Sequence, residues 1–337
     1  MLLQDAQNRF KPSSLSDDVF TSFLSGSQKT DIDAYTYSHP QGLNDRVCGA
    51  SLWEKFIDSG FYYPIPSEAK SLTNAARYIR VNIEQKAVRI LELGPGPIPS
   101  VKSKTIGFLQ VIDRLESYTC IDLCKTYLES TASTISQAIP SVLVKKYAFD
   151  FMRDFSDLRT VMNQQKPDVV LLLGNTIANL ADSSDGTGFA ALRYLKKLKN
   201  LMPENACLLI GQDGCTESQH IINAYSHPLF AKHTLNIMHR IKRDLAIRSF
   251  DSDAFSFHVK WRPAQYRLTA SARSLRNQSF KVGGREIKIE QDQLLPISTS
   301  FKYPPQYFAK LLKWAGFHEV KSYTDPLLKG TVHVAKI

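Results

Sequence analysis

Four short segments, each closing an apolar run, carry residue types that suit one kind of ligand. Glu92-Leu93-Gly94-Pro95-Gly96 ends the run that begins at Val88. Glycines at 94 and 96 let a backbone turn tightly and approach a ligand closely. Pro99 stands where a dinucleotide fingerprint would place its third glycine, which argues against a pyrophosphate at a helix N-terminus. Asp122 follows Ser117–Ile121, where a carboxylate suits the two hydroxyls of a ribose. Asp150 and Phe151 follow Val142–Ala148. A carboxylate there can accept from an exocyclic adenine amine, and an aromatic can pack near the ring. Gly174-Asn175-Thr176 follows Val169–Leu173, where the reactive end of such a ligand would lie. Each acid alone is more simply a cap or turn residue. As a set at the ends of four successive strands, they point to S-adenosylmethionine as cofactor and S-adenosylhomocysteine as product.

The elements that must position these residues are legible as alternation. Strand patterns at Val88–Leu93, Ser117–Ile121, Val142–Ala148, Val169–Leu173 and Ala206–Ile210 alternate with helical patterns at Leu109–Leu115, Lys125–Ala138 and Phe189–Leu201. Such alternation predicts a parallel sheet covered on both faces, the α/β class with a Rossmann-like arrangement. Ahead of it, Leu52–Ile57 is amphipathic, Pro64 and Pro66 oppose helix continuation, and a helix resumes over Ser67–Asn82 with Ser67 as N-cap. Residues 11–45 read as loops and short helices. After Thr216 the alternation stops. A helical stretch is followed by strand patterns at Phe255–Trp261, Tyr266–Ala272 and Arg285–Glu290, and the tail adds a helix at Pro305–Ala315 and strands at Val320–Tyr323 and Thr331–Ala335. No internal repeat or low-complexity tract is present.

Composition narrows the class without choosing the chemistry. The 337 residues are 43% hydrophobic and 22% charged, which excludes disordered and collagenous chains. The net charge is +10. The last 147 residues hold 23 basic and 11 acidic side chains, so they carry the whole excess. A basic region can attract nucleic acid, an anionic surface or an acidic substrate, but a solvated surface is the simpler reading. The five cysteines, Cys48, Cys120, Cys124, Cys207 and Cys215, show no zinc or redox spacing and fit a reduced, cytoplasmic chain. His220, His227, His233 and His239 lack companion ligands, so no metal is expected. No secretory signal and no run near the ~20 residues needed to span a bilayer is visible, so no membrane association is expected.

The segments Glu92–Gly96, Phe149–Phe151 and Leu171–Leu180, with Phe61–Pro64, Leu235-Asn236, Asp253–Trp261 and Ser300–Tyr303, resemble the histidine-specific methyltransferase family of ergothioneine biosynthesis. Its members trimethylate the α-amino group of an amino acid, and its fungal relatives act on tryptophan-derived amines. LLLGNTIANL, Leu171–Leu180, is the most specific part; the glycine loop is generic to methyltransferases. The resemblance spans about residues 43–337. It implies a class I S-adenosylmethionine methyltransferase domain, 75–216 plus 300–337, and a mixed α+β substrate domain, 1–74 plus 217–299, with the substrate held between them.

Carried over residue by residue, the resemblance puts Gly94 and Gly96 on the cofactor loop, with Glu92 at its start, and Asp122 on the ribose. It puts Asp150 and Phe151 on the adenine, and Lys104 near the methionine carboxylate, in a loop longer by four residues. Asn179 falls on the asparagine that holds the substrate amino-acid moiety, Tyr225 on a tyrosine contacting its carboxylate, and Tyr62 or Tyr63 on a further substrate tyrosine. Ser298 matches a serine of the imidazole-recognising site, but Pro296 replaces the glutamate two residues before it. Ala270 replaces a pocket methionine, and Asp45 an N-terminal tyrosine that touches the cofactor.

Without an acid at 296, the polar end of histidine loses its partner. A buried unsatisfied donor costs about 1–3 kcal/mol, enough to change substrate preference. The expectation is therefore an N-methyltransferase acting on a small amino acid or amine other than histidine, in a monomer or weak dimer. A nucleic-acid methyltransferase is disfavoured, because Gly174-Asn175-Thr176-Ile177 lacks the Pro-Pro-aromatic run that would hold a flipped base. A non-catalytic S-adenosylmethionine-binding protein is disfavoured by the intact glycine loop and acids.

Overall fold

A computed structural model describes residues 49–82, 87–180 and 189–337 together with Val19 and Thr36. The position at Asp45 and most of residues 1–48 lie outside the described residues. The chain divides into two compact units. One comprises residues 57–180, 188–216 and 302–337, the other residues 1–56, 181–187 and 217–301.

The first unit is built on strands β1 (Val88–Leu93), β2 (Leu115–Asp122), β3 (Leu143–Ala148), β4 (Val169–Leu172) and β5 (Cys207–Asp213). The chain returns to it with β11 (Glu319–Thr324) and β12 (Gly330–Lys336). They form one seven-stranded sheet in the order β11-β12-β5-β4-β1-β2-β3. Strands β1 to β5 run parallel, while β12 pairs antiparallel with both β5 and β11. β4 and β5 are buried at every position, as continuous apolar strands covered on both faces must be. The order reverses between β1 and β4, which opens a crevice outside their carboxyl ends. The core gathers Leu72, Ile90, Phe108, Leu171, Leu209 and Val334.

Two sequence expectations change here. The helix near the N-terminus starts at Pro64, not Ser67, and runs to Asn82. Both prolines fall in its first turn, where a missing N–H costs nothing. Ser67 is thus no cap: its hydroxyl donates to Asp325 at 2.8 Å and accepts from the Gly330 N–H at 2.9 Å. The helix expected over Leu109–Leu115 lies earlier, in residues 98–111, with a π-helical turn at Val101–Thr105 that carries Lys104; β2 already begins at Leu115. Residues 57–74, which the family resemblance implies belong with the substrate domain, cluster with this unit.

Among the described residues, the second unit holds helices Ser218–Tyr225 and Pro228–Asp244 and five strands. β6 (Phe255–Arg262), β7 (Arg267–Ser274) and β10 (Leu294–Phe301) form an antiparallel sheet in the order β10-β7-β6. β8 (Gln278–Val282) and β9 (Arg285–Ile289) form a hairpin whose turn, Gly283-Gly284, has φ of 54° and 80°, the sign a type I′ turn requires. β8 and β10 were not expected from sequence. The core of this unit centres on Phe250, fully buried, with ring centroids of Phe280 and Phe255 at 4.7 and 5.6 Å. Replacing Phe250 with Ala should destabilise the protein by about 3–5 kcal/mol; an unchanged urea midpoint for the transition would contradict this packing.

Candidate active site

The carboxyl ends of β1, β2 and β3 carry three of the four acidic or glycine segments. Gly94 and Gly96 have φ of 71° and 73°, which only glycine adopts without strain. A Cβ at Gly94 would also stand 3.1 Å from the Phe151 ring. Nothing lies within 4 Å of where a Cβ on Gly96 would be, so the loop leaves open space there. Asp122 accepts from the Cys124 N–H at 2.8 Å and the Gly96 N–H at 3.4 Å. Burial pushes its carboxyl up to about 6, against those hydrogen bonds. Asp150 is raised by burial, opposed by Arg153 at 3.7 Å, and accepts from the Met152 N–H at 3.0 Å. Phe151 is buried, and its carbonyl accepts from Tyr194 Oη at 3.3 Å.

Glu92 is turned inward. One oxygen accepts from Tyr118 Oη at 2.5 Å and the other from Thr105 Oγ1 at 3.1 Å. Burial raises the carboxyl of Glu92 and the phenol of Tyr118. In this geometry Glu92 braces the base of the loop.

The ends of β4 and β5 hold the densest polar network. Gly174 and Asn175 have φ of 75° and 61°, a pair of left-handed residues that turns the chain into the 3₁₀ helix Thr176–Asn179. The Gly174 N–H donates to both oxygens of Glu68, at 2.8 and 3.1 Å. Lys104 Nζ donates to Glu68 Oε2 at 2.6 Å, and the two side chains are only 3% and 6% exposed. Asn175 Oδ1 accepts from the Asp213 N–H at 2.9 Å. Thr176 Oγ1 donates to the Leu173 carbonyl.

Asp213 is fully buried, paired with fully buried Lys302 at 3.0 Å, and accepts from Tyr63 Oη at 2.7 Å. A small cleft between these groups is lined by Tyr62, Glu68, Gly174, Asn175 and Asp213, among others. The two candidate tyrosines are therefore distinct: Tyr62 lines the cleft, while the Tyr63 hydroxyl is committed to Asp213. Asn179 ends the 3₁₀ helix half-buried, and its side-chain amide makes no hydrogen bond among the described residues.

The second unit positions the remaining candidates separately. Tyr225 closes its helix, buried, with its ring edge-on to Phe230 at 5.1 Å. Ser298 on β10 stands directly opposite Ala270 on β7, so the two share a face. Pro296 stands opposite Ser271, and the register shifts between 296 and 298. Neighbours 270 and 271 point to opposite faces of β7. The bulge therefore puts Pro296 and Ser298 on different faces, where plain i, i+2 alternation would have put them on one.

Sequence inspection missed Glu68, Asp213 and Lys302 as site residues. Charged residues of these types are ordinarily exposed, so their types gave no warning. One signal was available. Gly211 lies inside β5, and a glycine within a strand marks a close approach. A Cβ there would fall 1.6 Å from Glu68 Oε1.

Open space above a glycine loop, an acid after β2 and an acid–aromatic pair after β3 fit the adenosine end of S-adenosylmethionine. The fold and this edge define a class I S-adenosylmethionine-dependent methyltransferase. The profile of the family described as "Histidine-specific methyltransferase, SAM-dependent" matches residues 17–337, and the chain belongs to that family. It is an S-adenosylmethionine-dependent N-methyltransferase. Among its relatives, the histidine N-alpha-methyltransferase of Mycobacterium tuberculosis is 26% identical over 290 residues, covering 85% of this chain and 86% of that one. The N-methyltransferase imqF of Aspergillus flavus is 22% identical, covering 84% and 76%. Among solved structures, an S-adenosylmethionine-dependent methyltransferase from Clostridium acetobutylicum aligns with a TM-score of 0.46 and 11% identity, covering 86% of this chain and 97% of that one. No described helix is long and apolar enough to cross a membrane.

The Asp122 carboxyl gives a pH test. Its folded value of about 6 lies above the ~3.9 of an unfolded aspartate. Between those values the folded protein binds a proton that the unfolded chain releases, so this group's contribution to stability falls as pH rises through the window. With Asp122 on the ribose, as the family resemblance implies, ligand binding would run the other way, because the ionised carboxylate would accept from both hydroxyls. Affinity for S-adenosylhomocysteine should weaken as pH falls through about 6, and Asp122→Asn should remove that dependence. Calorimetric titration between pH 5 and 8 decides it.

Proposed function

We propose that this chain methylates the amino group of a small amino acid or amine other than histidine. The observation that carries this is the register of β7 and β10. The paired positions Pro296–Ser271 and Ser298–Ala270 include no ionisable side chain, although the family resemblance places a glutamate at 296. A histidine imidazole would meet no charged partner at these positions. A larger or more apolar side chain would lose nothing there.

The cofactor supplies an electrophilic methyl group on a sulfonium. Gly94 and Gly96 would let the backbone approach it, Asp122 would take the ribose, and Asp150 with Phe151 the adenine. Lys104 would hold the carboxylate of its methionine end, near the Gly174-Asn175-Thr176 turn. The acceptor nitrogen must arrive neutral with its lone pair directed at the methyl. Asn179 would orient that nitrogen. Tyr62 and Tyr225 would contact the carboxylate where the substrate has one. Tyr63 serves differently, because its hydroxyl already donates to Asp213.

Positioning can supply most of the acceleration, since effective molarities for well-oriented groups are large. The sulfonium charge is lost in the transition state, so no oxyanion site is required. An ammonium in a dry cleft shifts toward its neutral form by desolvation, which lessens the need for a dedicated base.

Mass spectrometry of methylated products, after incubation with S-adenosylmethionine and a panel of amino acids and biogenic amines, tests the proposal. Methylation of a non-histidine amine in preference to histidine supports it. Histidine turnover matching that of an established histidine methyltransferase overturns it. Asn179→Ala should lower turnover by about tenfold or more, the scale of a misplaced reactant, while leaving S-adenosylhomocysteine affinity within about twofold. Equal loss of both would remove the role assigned to Asn179.

A further inference from the structure

Glu68 has no counterpart among the residues that sequence inspection selected, yet it sits where three elements of the first unit meet. It projects from the helix Pro64–Asn82 past β5 at Gly211, where the missing Cβ leaves its path open. Its carboxylate reaches the turn after β4, taking the Gly174 N–H on both oxygens and Lys104 Nζ on one. The carboxylate therefore ties the turn after β4 to the π-helical turn Val101–Thr105, which carries Lys104. The Lys104 ammonium stands 3.6 Å from where a Gly174 Cβ would be, against the same turn.

We propose that Glu68 is a positioning residue for the amino-acid end of the cofactor, acting by fixing the Lys104 ammonium and the Gly174 backbone in one geometry, and that Gly211 is the residue that admits it. The proposal rests on the assignment of Lys104 to the methionine carboxylate. A charged side chain this deeply buried is tolerated only when paired. One of the three Lys104 donors goes to Glu68, which leaves the others for a ligand carboxylate. A free lysine on this turn would have many rotamers to lose on binding, and a clamped one has few.

The test compares two ligands by calorimetry on the full chain. S-Adenosylhomocysteine carries the amino-acid end; 5′-methylthioadenosine has the same adenosine and thioether without it. Glu68→Gln keeps the shape and removes the charge. Gly211→Ala keeps the charge and displaces the carboxylate, so it tests the same idea if the first variant folds poorly. Both should weaken S-adenosylhomocysteine by about tenfold, the scale of one charge-assisted contact, and leave 5′-methylthioadenosine unchanged. In a Lys104→Met background, Glu68→Gln should add little, because it acts through the lysine.

Equal weakening of both ligands would make Glu68 purely structural and overturn the proposal. Weakening by Lys104→Met with no effect of Glu68→Gln would also overturn it while sparing the Lys104 assignment. If Lys104→Met itself left S-adenosylhomocysteine affinity unchanged, that assignment would fail and this proposal with it.

Discussion

Two carboxylates are buried at the ends of β4 and β5, where each needs partners in place of the water it gives up, and the surrounding residues are arranged around supplying them. Asp213 and Lys302 are both fully buried and 3.0 Å apart, and Glu68 and Lys104 form a second pair of the same kind. Burying a charge is tolerated only when it is paired and its remaining lone pairs are satisfied. Both conditions hold. Glu68 takes a backbone N–H besides its lysine, and Asp213 takes the Tyr63 hydroxyl as well as the Cys215 N–H. Each pair joins segments far apart in the chain, so the polar rim of the cleft is held by long-range contacts. The glycine loop needs no such help, because its geometry comes from the φ of Gly94 and Gly96.

The strands were legible because their signal is local. β4 and the first four residues of β5 are unbroken apolar runs, β1 is mostly apolar, each is followed by Gly or Asp, and Lys125–Ala138 is helical over the range its pattern predicts. β10 was hidden because Pro296 and a bulge interrupt the alternation, and β8 because Gln278, Ser279 and Lys281 dilute it. The start of the helix at Pro64 was misjudged because proline reads as a breaker, yet the first turn tolerates it. Among site residues, the glycines and acids at strand ends follow directly from what each strand does at its carboxyl end. Glu68, Asp213 and Lys302 do not, because nothing local tells a buried charge from an exposed one. Their partners lie far away in sequence.

The charge distribution belongs to a different level of the molecule. The excess of basic residues lies in the last 147 positions, yet the lysine there with a clear structural task, Lys302, is neutralised inside the first unit. The candidate site residues lie at strand ends, and the buried pairs there are balanced charge by charge. A net charge of +10 therefore says more about solubility and diffusional encounter than about what is methylated.

The helix that carries Glu68 is fastened to the far end of the chain. Ser67 donates to Asp325 and accepts from the Gly330 N–H, while Ser71 donates to the Gly330 carbonyl. A Cβ at Gly330 would strike Ser67 Oγ at 2.5 Å, so the last strand lies closely against this helix. In a growing polypeptide, strands β1 to β5 are made well before residue 302, and the glycine loop, Asp122, Asp150 and the Glu68–Lys104 pair come with them. The fastening of that helix and the Asp213 counter-ion have to wait for Asp325, Gly330 and Lys302, made more than 200 residues after it. During synthesis, then, the carboxyl edge of the sheet is made early, while the contacts that pin its helix and balance Asp213 arrive only after the intervening unit has been made.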